Sequence, residues 1–173
     1  MSPKTADAAC LQAYQRELDY LMRTLQRLGV NSADLEDLAH EVFLVLRQTW
    51  HEYDPARALR PYLFGIAFRL ASSHRRRHWR EVPSFGGDVQ DLAPAADQAL
   101  ESNQARALVL AALQQIPLPR RVVLILHELD EIPMREVAST LKIPLFTAYS
   151  RLRKARRELA QSLSLSLKEG GAQ

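Results

Sequence analysis

Residues 81–97 (EVPSFGGDVQDLAPAAD) combine two prolines, a Gly-Gly pair and no hydrophobic period. No regular helix runs through that composition, and no strand alternation is present in it. The chain is 173 residues long, so a break here leaves the length of one small domain on either side. We read residues 8–80 as one domain, 81–99 as a linker and 100–165 as a second domain.

Both sides are helical by pattern. Leu11, Tyr14, Leu18, Leu21, Leu25 and Leu28 recur at steps of three and four, and Gly29 stands where a C′ glycine would stop that helix. Asn31, Ser32 and Asp34 offer side-chain caps for a second helix, striped by Leu35, Leu38, Ala39, Val42, Phe43 and Leu46. A third helix begins near Pro61 and runs through Leu63, Ile66, Ala67, Leu70 and Ala71 into an arginine cluster. Between them, Thr49–Arg60 reads as a loop. Beyond the linker, Leu100–Ile116, Val122–Leu129, Pro133–Leu141 and Leu145–Leu163 continue the helical reading, and Ser162–Leu167 reads as fraying helix. The expected fold class is all-α, with two small helical domains joined by an acidic linker.

The net charge of +3 hides an uneven distribution. Residues 1–80 carry +3, residues 81–105 carry −5 (Glu81, Asp88, Asp91, Asp97, Glu101), and residues 106–173 carry +5. Of 23 cations, 19 are Arg, whose planar fork suits phosphate and base edges. Two basic lobes around an acidic connector point to a polyanion partner.

Other classes are excluded by what is missing from the sequence. No apolar run approaches the ~18–20 residues of a membrane span, and Met1–Ala9 does not read as a secretory leader. A lone Cys10, near an N-terminus expected to be disordered, forms no internal disulfide, makes no multi-thiolate zinc site and is too isolated for a redox sensor. There is no Gly-rich phosphate loop, no G-x-S-x-G and no HExxH. We expect a soluble, cytoplasmic protein that is not an enzyme, with no cofactor, no metal, no membrane association and no small-molecule substrate.

Residues 133–157 (PMREVASTLKIPLFTAYSRLRKARR) have the layout of a helix-turn-helix. Val137, Ala138 and Leu141 face inward on the first helix, and Ile143-Pro144 ends the turn. Leu145, Ala148, Leu152, Ala155 and Leu159 make the expected buried stripe of the second helix. Its opposite face carries Thr147, Ser150, Arg151, Lys154 and Arg157, flanked by Arg153 and Arg156, and such a face suits the major groove. Lys142 stands where such turns usually carry Gly, and a left-handed conformation there would cost it roughly 1 kcal/mol.

In the first domain, Asp37 and Glu41 lie at i and i+4 beside Leu38 and His40. On spacing alone this row is a solvated face sooner than a docking surface. Residues 69–80 (RLASSHRRRHWR) hold five Arg and two His and no acid, and follow Tyr62, Phe64 and Phe68. Arginines supply phosphate contacts and aromatics supply stacking platforms for unpaired bases, so nucleic acid is the better reading. His74 and His78 lack the further ligands that zinc needs.

Asp37-Leu38-x-x-Glu41-Val42-Phe43, then Tyr53-Asp54-Pro55, then Tyr62-Leu63-Phe64-x-Ile66-Ala67 and the arginine run resemble the promoter-melting domain of sigma factors. Leu113, Ile116-Pro117, Arg120-Arg121-Val122-Val123-Leu124, Glu136-Val137-Ala138 and Ser150-Arg151-Leu152-x-x-Ala155-Arg156 are similar to their −35-binding domain. In order and spacing, over about residues 10–165, the chain resembles the extracytoplasmic-function (group 4) class of the sigma-70 family.

The resemblance implies core RNA polymerase, promoter DNA and an anti-sigma factor as partners. It implies docking on the polymerase through Asp37, Leu38, His40 and Glu41. It places Tyr53, Tyr62, Arg69, Ser73, His74, Arg75, Arg76 and Arg77 at the −10 element, with capture of a flipped base. It assigns Thr147, Ser150, Arg151, Arg153, Lys154 and Arg157 to the −35 element, and sends the acidic connector through the RNA exit path. Tyr62, Gly65, Arg69, Ser73, His40, Phe146, Ala148 and Tyr149 depart from the family pattern, which implies a divergent promoter preference. A stand-alone helix-turn-helix regulator is the competing reading; it leaves the aromatic and arginine cluster and the acidic helix without a role. A non-DNA-binding protein that titrates sigma partners is opposed by the basic face 151–157.

Overall fold

Helix α1 (Pro3–Leu28) ends as its sequence predicts, in a Schellman turn at Gly29. The Val30 amide donates to Leu25 O (3.1 Å) and the Gly29 amide to Gln26 O (2.9 Å), with Gly29 at φ +90°. The computed structural model describes residues 3–81 and 97–170. The expected linker, 81–99, falls largely outside the described residues, as do the side chains of Glu81, Asp88, Asp91, Asp97, Glu101 and His78. Among the described residues no strand occurs.

A 3-10 turn (Ser32–Asp34) leads into α2 (Leu35–Thr49). The side-chain caps expected from Asn31 and Asp34 are not made: the entry closes through the backbone, with the Asp34 amide on Asn31 O at 3.0 Å. A second 3-10 turn (Trp50–Glu52) and an Asx turn, in which Asp54 Oδ1 accepts from the Ala56 amide, lead to α3 (Leu59–Glu81). Pro61 sits in the first turn of α3, where its missing donor costs nothing. These three helices pack on one another through Leu21, Leu25, Leu38, Val42, Leu46, Leu63, Phe64 and Ile66. Each such side chain, fully buried, contributes about 1.5–3 kcal/mol. Cys10 is buried in α1, and burial pushes its thiol pKa up, so the residue belongs to an ordered helix and not to a frayed end.

The second domain comprises α4 (Asp97–Gln115), α5 (Leu118–Leu124) with a π-helical turn (Ile125–Leu129), α6 (Met134–Thr140) and α7 (Leu145–Gly170). Helix α7 packs on α4, α5 and α6. Leu113, Ile116, Val122, Val123, Val137, Ala138, Ala148, Leu152 and Ala155 fill the space between them.

The two domains touch. Helix α1 meets α4 and α5, and α3 meets α6. The Asp130 side chain, only 3% exposed, accepts from Tyr20 Oη (2.8 Å) and pairs with Arg27 Nη1 (3.3 Å). Arg121, 4% exposed, donates to the carbonyls of Ile116, Gln114 and Arg27. These bonds cap the open end of α4 and reach across to the end of α1. Burial, with Arg75 a lesser cause, lowers the Arg121 pKa to about 10. Gly29 is required by its φ of +90°, and a Cβ there would also stand 3.0 Å from Arg121 Nη1, so the guanidinium would have to shift by a few tenths of an ångström.

Candidate nucleic-acid interface

The turn between α6 and α7 repeats the geometry at the end of α1. The Ile143 amide donates to Ala138 O (3.0 Å) and the Lys142 amide to Ser139 O (3.1 Å), which puts Lys142 in the left-handed region at φ 53°. Lys142 thus occupies a glycine position, as the spacing predicts. Glu131 does the same after the π-helical turn, at φ 55°, and no motif marked it in advance. Ala138 is buried, so α7 crosses α6 closely.

On α7, Ala148, Leu152 and Ala155 are buried and Leu159 is half-buried. Leu145, expected in the same stripe, is 38% exposed because it lies on the first turn, beyond the edge of the core. Arg153, Lys154 and Arg157 are exposed and form no ion pair with described residues. Thr147, Ser150 and Arg151 are half-buried. An open concavity of about 400 Å³ is lined by Pro119, Arg120, Phe146, Thr147, Ser150, Arg151 and Lys154. Arg120 is held there by Glu158, and Arg156 is taken up by Glu128. Phe146 and Tyr149 project from the same helix into solvent; the apolar stripe predicts where the core is and says nothing of these two.

In the first domain an aromatic cluster forms at the base of α3. Trp50 stacks on Tyr53 (centroids 5.1 Å), and Tyr53 meets Tyr62 (5.4 Å). Tyr62 Oη donates to Thr49 Oγ1 (2.8 Å), and Tyr53 Oη donates to Arg57 O (2.6 Å), so both rings are fixed by their hydroxyls. Phe64, expected among the stacking aromatics, is fully buried in the core; its face of α3 is covered by neighbouring helices. Phe68 is half-buried. Further along α3, Arg69, Arg75, Arg76 and Arg77 are exposed, while Ser73 and His74 are half-buried. His74 Nε2 lies 3.6 Å from Asp34 Oδ2. Arg75 and Arg76 line a groove of about 340 Å³ with Phe68, Ser72 and, from the other domain, Leu118, Pro119, Val122, Leu141 and Arg151. The structure therefore brings cations assigned to two different DNA elements into one cleft.

On α2, Asp37, His40 and Glu41 are exposed on one side. Leu38 is 2% exposed and belongs to the core, so it is not presented for docking: its Cβ points toward α1 and α3 with Leu35, Val42 and Leu46. Leu44, one turn past Glu41 and 42% exposed, extends the outward row instead, a residue that spacing alone did not single out. No described helix is long and apolar enough to cross a membrane.

Comparison with known proteins gives two family matches. Residues 13–81 match the model of sigma-70 region 2, and residues 106–159 match that of sigma-70 region 4. The chain is 28% identical over 165 residues to the RNA polymerase sigma factor HrpL of Pseudomonas syringae pv. syringae, covering 92% of this chain and 89% of that one. It is 26% identical over 168 residues to the ECF RNA polymerase sigma factor SigE of Mycolicibacterium smegmatis, covering 92% of this chain and 65% of that one. Among solved structures, the sigma factor RpoE in complex with the anti-sigma factor NepR, from Bartonella quintana, superposes with a TM-score of 0.66. That match covers 88% of this chain and 98% of that one, at 18% identity, and it shows the fold.

Proposed function

This chain belongs to the sigma-70 family of RNA polymerase sigma factors, in the extracytoplasmic-function class, and from that premise we propose how its surfaces divide the work. Proteins of this family direct transcription initiation with RNA polymerase and are initiation factors, not enzymes. Here the first domain holds the −10 element and the second holds the −35 element. The observation that carries this reading is the outward face of α7, where Arg153, Lys154 and Arg157 stand without carboxylate partners among the described residues, on a helix anchored by Ala148, Leu152 and Ala155. A cationic row without internal neutralisation attracts phosphate, and each neutralised phosphate releases counterions.

At the −10 element, the Trp50–Tyr53–Tyr62 cluster is the stacking platform and Arg69, Arg75, Arg76 and Arg77 follow the nontemplate strand. Ser73 and His74 lie between those arginines on the same helix. Unstacking a base costs a few kcal/mol, and stacking on an aromatic returns about 1–3 kcal/mol. Thr147, Ser150 and Arg151 lie along the N-terminal half of α7, the part of a recognition helix that meets base edges. Asp37, His40 and Glu41, with Leu44, dock on a basic surface of core RNA polymerase. An anti-sigma factor, as in the complex of RpoE with NepR, is the proposed inhibitor.

Arg75, Arg76 and Arg151 share one groove, whereas promoter elements recognised by two domains lie many base pairs apart at about 3.4 Å each. Promoter binding thus requires the domains to separate. The test is transcription in vitro with purified core polymerase on fragmented genomic DNA. Starts that appear only with this protein support the reading. Specific duplex binding without core, and no new transcripts, would replace it with a stand-alone regulator.

A further inference from the structure

Phe146 is 84% exposed, more than any other large hydrophobic side chain among the described residues. It is the second residue of α7, and residues 146, 150, 153 and 157 fall at i, i+4, i+7 and i+11 along one outward face. Tyr149, 55% exposed, lies on the next turn beside it. Phe146 also borders the 400 Å³ concavity together with Arg120, Arg151 and Lys154. A phenyl ring surrounded by cations is poorly placed to join an apolar protein core, since the cations would have to be desolvated with it. The surrounding charge selects a polyanion, and the polyanion with an apolar group on its readable edge is duplex DNA. In the major groove that group is the thymine 5-methyl, which sets T·A apart from every other pair for a side chain without hydrogen-bonding atoms.

We propose that Phe146 is a specificity-determining residue that reads a thymine methyl in the upstream promoter element. The inference rests on α7 being the −35 recognition helix. Thr147 and Ser150 set the register on neighbouring bases, Lys154 and Arg157 hold phosphates, and Phe146 supplies the apolar contact. It forms no covalent bond and moves no proton; discrimination comes from burying one methyl group.

The experiment uses holoenzyme assembled from core polymerase and the full chain. Upstream elements are first selected from a randomised library, and each thymine of the selected element is then replaced singly by deoxyuridine, which lacks only the methyl. The transfer value of about 0.8 kcal/mol for one such carbon corresponds to a loss of about fourfold in affinity at the position that Phe146 reads. Phe146→Ala should bind the thymine element about as weakly as wild type binds the uracil one, and should no longer distinguish the two. Phe146→Leu should retain part of the discrimination. Because Phe146 lies on the surface, circular dichroism should show both variants folded.

Equal affinity of wild type for thymine and uracil at every position overturns the proposal, as does undiminished discrimination by Phe146→Ala. An unchanged DNA preference with weakened binding of a protein partner would reassign Phe146 to a protein contact. Arg153→Ala with Arg157→Ala separates this outcome from failure of the helix assignment. If that double variant binds every duplex as tightly as wild type, α7 is not the DNA helix. If it weakens all duplexes while uracil has no effect, only the role of Phe146 is lost.

Discussion

Tyr20 Oη donates a 2.8 Å hydrogen bond to Asp130 Oδ2, joining two domains across 110 residues of sequence. Arg27 supports the same carboxylate at 3.3 Å, and the Arg60 guanidinium lies 5.0 Å over the Tyr20 ring. A hydrogen bond to a charged group is worth about 1.5–3 kcal/mol, and a carboxylate this well buried has no water to replace a lost donor. Tyr20→Phe should therefore loosen the domain contact and leave each domain folded. Amide exchange at the end of α1 and in the π-helical turn should accelerate about 10–100-fold. Unchanged exchange in both segments would show that the contact is held elsewhere.

The same pair gives a pH dependence of unusual sign. Burial raises the Asp130 carboxyl above its ordinary value of 3.8, and the Tyr20 hydrogen bond and the nearby Arg27, Arg60 and Arg23 only partly oppose that shift. A carboxyl raised on folding binds its proton more tightly in the folded state. Its contribution is therefore complete below the unfolded value and is lost as pH climbs through the raised folded value. Tyr20 is itself pushed up by burial and by Asp130, so it remains a donor throughout this range. Melting curves from pH 4 to 7 should show Asp130→Asn gaining on wild type as pH rises. A constant difference would mean that Asp130 titrates normally.

Lys142 and Glu131 each hold a left-handed backbone conformation that suits glycine. The strain on a non-glycine residue is about 1–2 kcal/mol, and glycine returns roughly half of it through the greater entropy of the unfolded chain. Lys142→Gly and Glu131→Gly should each stabilise the second domain by about 0.5–1 kcal/mol, read as a higher urea midpoint with an unchanged slope. Their effects should add, because the two turns close different helices.

That pair also marks how far the sequence could be read. Lys142 was identifiable as strained because a helix-turn-helix spacing demands a left-handed residue at its position. Glu131 was not, because a π-helical end leaves no composition signal. Local periodicity located α1, α2, α3 and α7 and, at Gly29, the stop of α1. It misplaced Phe64 because α3 is packed from more than one side, so an aromatic next to the stripe faces a neighbouring helix. The missing caps at Asn31 and Asp34 have the same origin: residue type permits a cap, and backbone closure made it unnecessary. Tyr20 with Asp130 and Arg121 with Arg27 O lie beyond any local pattern, because those contacts exist only once both domains are folded.

Arg76 and Arg77 are exposed in the C-terminal half of α3, on a different helix from the acidic row of α2. Arg76→Ala with Arg77→Ala should weaken promoter opening, read by permanganate reactivity of unpaired thymines, and leave assembly with core polymerase intact. If both arginines hold phosphates as proposed, their removal should also reduce the salt slope of single-strand binding by about 1.4. Loss of core binding in this variant would mean that α3 is a polymerase contact and that the strand is held elsewhere.

Asp37 and Glu41 lie one helical turn apart on the outward side of α2, with Leu44 one turn further. Two carboxylates beside an exposed leucine make a surface that is acidic at one end and apolar at the other, which suits a basic, partly apolar partner helix. The buried side of α2, built from Leu35, Leu38, Val42 and Leu46, is untouched by changes to this row, so reversal of its charge tests binding and not folding. Asp37→Lys with Glu41→Lys should slow association with core polymerase and remove most of its salt dependence. Leu44→Ala should act on dissociation instead, because an apolar contact forms only after encounter. Duplex binding by α7 should be the same in all three proteins, so an electrophoretic assay on −35 DNA serves as the control. If charge reversal leaves core affinity within twofold of wild type, the outward row of α2 is a solvated face and the polymerase is held by another surface.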